Sequence, residues 1–90
     1  MTYIDIFSDA VSHFTNIPQK FIKDYIKSFS RHNGRKGMLI DQIMNIEFPE
    51  IEAIVLLSDL KSGDLNNTLR FFNNSFDVIR QEEMRQALVN

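Results

Sequence analysis

These 90 residues predict an all-α fold, a compact bundle of four to five helices built by residues 1–90 as a single helical domain. Three observations carry that expectation. Apolar residues recur at helical spacing in every long segment. The two prolines and three glycines fall between those segments, and alternating strand patterns are absent.

The first segment, TYIDIFSDAVSHFTN, places Tyr3, Ile4, Phe7, Ala10, Val11 and Phe14 on one helical face, with Asp5, Asp9 and His13 opposite. Pro18 opens the second, where a missing N–H costs nothing in the first helical turn. Its Phe21, Ile22, Tyr25, Ile26 and Phe29 predict the buried face, and Lys20, Lys23, Lys27 and Arg31 line up opposite. Asn33-Gly34 is a natural left-handed stop. A short third helix is expected from Met38 to about Ile46, apolar at Leu39, Ile40, Ile43 and Met44.

Pro49 opens a fourth helix of about residues 49–61. Its IEAIVLLSDL is apolar nearly all round, the pattern of a central helix covered by several neighbours. The last segment spaces Leu65, Leu69, Phe72, Phe76 and Ile79 at 4-3-4-3, a coiled-coil-like seam that Glu83 ends. Phe71 and Val78 lie on nearly the other side, a surplus apolar strip for neighbours or a partner to cover. Asn73-Asn74-Ser75 is a possible break in this long helix, with Ser75 as the cap of a following one.

Composition narrows the function classes. A chain this short buries too little to frame a deep catalytic cleft easily, so a partner surface is its more natural use. Without cysteine there are no disulfides, thiolate nucleophiles or cysteine zinc sites. No apolar run approaches the roughly 18 residues of a membrane span. Asp5 and Asp9 stand where a signal peptide would carry bases, so a cytoplasmic or otherwise intracellular protein is expected.

Charge is unevenly placed, with a net −2 over residues 1–16, +5 over 17–37 and −5 over 38–90. A basic helix and basic loop, Lys20, Lys23, Lys27, Arg31, Arg35 and Lys36, is the electrostatic footprint of a phosphate-binding surface. Asp24, at i+4 from Lys20 and three before Lys27, pairs with part of that row. The stretch Gly34-Arg35-Lys36-Gly37 resembles the GxxG loop of KH domains, which lets backbone N–H groups approach a nucleotide backbone. A KH domain also requires a three-stranded sheet, which no segment here predicts. The glycines therefore read as a helix cap and restart.

The stretch from FPEIEAIV onward is faintly similar to the DNA-binding C-terminal region of sigma factors, with residues 65–88 as a degenerate helix-turn-helix. Leu69 and Asn74 depart from that motif, and Glu82-Glu83 would face phosphates. Asp5, Asp9 and His13 share a helical face without a further ligand nearby, so no metal is expected. Nucleophile–base pairs and phosphate-binding loops are missing, so neither a cofactor nor an enzyme is expected.

The expected function is that of a small non-enzymatic regulatory or adaptor protein, acting by occluding or tethering a protein partner with an acidic or apolar surface. Phe71, Val78 and the six bases would form the contact, with a homodimer built through the terminal helices. Nucleic-acid binding through residues 20–36 is the alternative, and no membrane association is expected.

Overall fold

The computed structural model describes residues 1–89, and the side chains of all of these except Ile79, Glu82, Glu83 and Val89. Its helices are α1 (Tyr3–Thr15), α2 (Gln19–His32), α3 (Gly34–Met44), α4 (Glu50–Ser62) and α5 (Leu65–Val89). The all-α bundle is therefore as the sequence predicts. No described helix is long and apolar enough to cross a membrane.

Helix α1 lies at the centre, packing on each of the other four. Thr2 caps it reciprocally: its Oγ1 accepts from the Asp5 N–H, and its own N–H donates back to Asp5 Oδ2 at 3.2 Å. Such a box satisfies two otherwise orphaned donors and sets the helix start. Asn16, with φ of 61°, ends the helix in the left-handed conformation. The chain before it is tied to the α3–α4 connection by Tyr3 N–H donating to Ile46 O and Phe48 N–H donating to Met1 O, both 2.8 Å.

One contiguous core joins Tyr3, Ile4, Ile6 and Ala10 of α1 to Ile43 and Met44 of α3, Ala53, Leu57 and Leu60 of α4, and Phe72 of α5. The central helix is thus α1, and the expectation that α4 is central is overturned. Only one side of α4 is buried, while Ile51 is 78% exposed and Ile54 and Val55 each 56%. An even apolar distribution does not say which neighbours exist, and here the far side has none among the described residues.

Three further expectations are corrected. In α2 the buried side is Ile22 with half-buried Ile26, and Phe21 and Tyr25 are exposed. The helix is rotated from the expected facing, and Lys23, expected in the solvent row, reaches Asp5 at 2.7 Å. In α5, Thr68 takes the buried place assigned to Leu69, and Phe71 is half-buried, edge-on to Phe72 at 5.4 Å. Phe71 is therefore core packing and not a free contact. The expected seam positions Ile79 and Glu83 lie outside the described side chains.

The third correction is that α5 runs unbroken through Asn73-Asn74-Ser75. The Ser75 hydroxyl donates to the Phe71 carbonyl at 3.0 Å, so it bonds back along the helix and does not cap a new one. Weak local helix propensity is overridden by the core contacts of Phe72 and Phe76 on either side. With no turn there, the helix-turn-helix reading falls.

Two hydroxyls inside the bundle, Tyr3 Oη and Thr68 Oγ1, are buried and make no hydrogen bond among the described residues. Burial pushes the Tyr3 phenol above its ordinary range. Replacing Thr68 with valine removes an unsatisfied polar group at nearly constant shape. Thr68→Val is expected to stabilise the chain by up to about 1 kcal/mol in urea melts. A lower midpoint would mean that this hydroxyl has a partner.

Candidate protein-binding site

The junction of α2 and α3 sets the position of the basic residues. Gly34, with φ of 54°, makes the turn, and α3 starts at Gly34 itself, not at Met38. Gly37, expected as a helix restart, is buried inside α3, with the Ser30 carbonyl of α2 filling the place of its missing side chain. The GxxG stretch is thus a helix crossing and not an open loop. Arg35 and Lys36 consequently sit in the first turn of a helix, a turn without acids. Helix dipoles disfavour cations at that end, so local helix stability gives no reason for this pair of bases.

Both bases border a groove of about 780 Å³ between α3 and the C-terminal half of α5. Its apolar lining, taken here as its floor, is Leu39, Ile40, Phe76, Met84 and Ala87, and Asn73, Asp77 and Arg80 also line it. Met84 is 60% exposed, so apolar surface faces solvent here. Arg80 bonds Asp77 one turn back at 3.1 Å, and Lys36 Nζ lies 6.0 Å from the centre of the Phe29 ring. An apolar floor under a cationic lip suits an amphipathic segment carrying acidic residues.

The predicted site residues separate into groups. Arg35 and Lys36 meet at the groove. Lys27 and Arg31 border a smaller depression of about 440 Å³ between α2 and α3, where Asp41 also lies. Lys20 is exposed on α2, Lys23 is held by Asp5, and Val78 is 65% exposed on α5. The apolar lining from α5 was missed because the seam predicted from the sequence ends at Glu83, before Met84 and Ala87. Taken as one helix, Phe76, Arg80, Met84 and Ala87 fall on a single face, the signal that would have found it.

The acids of α1 are engaged on both flanks, Asp5 with Lys23 and Asp9 with Lys61 at 2.6 Å. They are not the solvent row that the sequence predicts. The Lys23 hydrogen bond, with help from Thr2, holds the Asp5 carboxyl below its ordinary value against the opposing effect of burial. A depressed folded-state pKa stabilises the fold above the unfolded value of about 3.9 and ceases to do so as pH falls through the folded one. Asp5→Asn should therefore melt below wild type at pH 7, with the gap closing as pH falls through the lowered folded-state value. A gap that is constant with pH would assign the loss to packing.

Compared with family models, with curated proteins and with solved structures, the chain matches none.

Proposed function

We propose that this chain is a small non-enzymatic regulatory or adaptor protein that acts by binding another protein at the α3–α5 groove. The observation that carries this reading is the apolar lining of the groove that Arg35 and Lys36 border, with Leu39, Ile40 and Phe76 half-buried and Met84 exposed. Burial of Leu39, Ile40, Phe76 and Met84 would supply affinity, and the cationic lip would orient an acidic helix of the partner. The partner would be occluded or tethered without chemical change.

The test is affinity capture from source cells, wild type against a Lys36→Glu/Met84→Glu double variant, both changes lying at exposed positions. A protein recovered with wild type is expected to fall at least tenfold with the variant. Equal recovery would place the contact elsewhere.

One observation favours a second reading. Phe21 and Tyr25 are exposed on the helix that carries Lys20, Lys27 and Arg31, and bases stack on aromatic rings beside cations in single-stranded nucleic-acid sites. Against it, Asp24 is exposed on the same helix. Fluorescence anisotropy with single-stranded DNA and RNA at low salt decides, because the electrostatic contribution is then strongest. The protein-binding reading expects no binding, and binding abolished by Tyr25→Ala would favour nucleic acid.

A further inference from the structure

We propose that the groove also accepts α4 of a second copy of this chain, so that the protein associates head to tail. The inference rests on the reading that the groove takes an acid-flanked apolar helix. Helix α4 presents one: Ile51, Ile54 and Val55, at i, i+3 and i+4, form an exposed apolar strip with exposed Glu50 and Glu52 in the first turn. Single exposed apolar residues are ordinary, but a contiguous strip with a charged border marks a contact surface.

Charge selects the pairing. Strip against strip would bring the acids of two copies together, and Lys61, the one base of α4, is already held by Asp9 at 2.6 Å. Groove against groove would oppose Arg35 and Lys36 to their own copies. Strip into groove sets Glu50 and Glu52 toward Arg35 and Lys36, and Ile51, Ile54 and Val55 onto the apolar floor. Like charges in juxtaposition weigh against the two symmetric pairings, and opposite charges favour the third.

Topology keeps both surfaces available. No residue of α4 lines the groove among the described residues, so a copy's own α4 does not cover it. After one pairing, each end of the pair still carries an unused half. Contacts of this heterologous kind close into rings or continue as open chains. A second copy and an outside partner would then compete for one groove, and raising the concentration of the chain would withdraw the site from the partner.

The test is sedimentation velocity on the full chain over a concentration series at low salt. Wild type is expected to form dimers and larger species, and to lose them as salt rises. Val55→Asp, which blocks the strip, and Lys36→Glu/Met84→Glu, which blocks the groove, are each expected to remain monomeric. Their equimolar mixture should give dimers and nothing larger, because each copy keeps one sound half.

Assembly of the groove variant at wild-type strength would overturn the proposal in favour of a strip-to-strip dimer. A wild-type chain monomeric at every concentration would also overturn it, and would leave the partner-capture result untouched. Should Val55→Asp unfold by circular dichroism, Ile51→Asp at the more exposed position replaces it.

Discussion

Phe72→Ala is expected to lower stability by about 3–5 kcal/mol, the usual cost of emptying a buried aromatic site. Phe72 is 2% exposed and sits edge-on to Tyr3 at 5.3 Å, Phe7 at 4.6 Å and Phe71 at 5.4 Å. With Phe76, which meets Tyr3 at 6.2 Å, it pins α5 to α1. Small domains have total stabilities at the low end of about 5–15 kcal/mol, so most of the margin would go. At about 4–8 °C per kcal/mol, thermal melting should fall by about 12–40 °C. A shift of only a few degrees would mean that α5 is not docked on this cluster.

Gly37→Ala tests the helix crossing beneath the groove, and here the sign decides. Gly37 lies within α3, where alanine by propensity alone would stabilise by about 1 kcal/mol. A Cβ there would meet the Ser30 carbonyl, with the carbonyl carbon at 2.8 Å. The obstacle is backbone of a packed helix and does not rotate away. Overpacking of this kind costs about 1–3 kcal/mol, so a net loss is expected. Gly34→Ala is a useful companion: its Cβ would meet open space, and its cost of about 1 kcal/mol comes from the positive φ alone. Denaturant melts that find Gly37→Ala stabilised would remove the close α2–α3 approach.

The features legible in the sequence are those set locally. Pro18 and Pro49 precede helix starts, Asn33-Gly34 and Ser62-Gly63 end helices, and helical periodicity fixes the number of elements. Facing was less legible, because it depends on neighbours distant in the chain. Asp5 and Asp9 have the pattern of a solvent row until Lys23 and Lys61 are brought beside them. The aromatics of α2 and the apolar side of α4 satisfy helical spacing without saying whether anything covers them.

The site shows the same division. Arg35 and Lys36 stand out by charge, but their groove required knowing that α3 begins at Gly34 and that α5 continues through residues 73–75. Gly37 fits a cap signal by spacing. Its actual role, admitting the Ser30 backbone, exists only once two helices cross.

Amide hydrogen exchange of the wild-type chain, free and saturated with the protein recovered by capture, tests the assignment of the groove most directly. The expected result is added protection at residues 35–40 and 76–87, with α2 residues 20–31 unchanged. Protection confined to α2, with none along the groove, would contradict it.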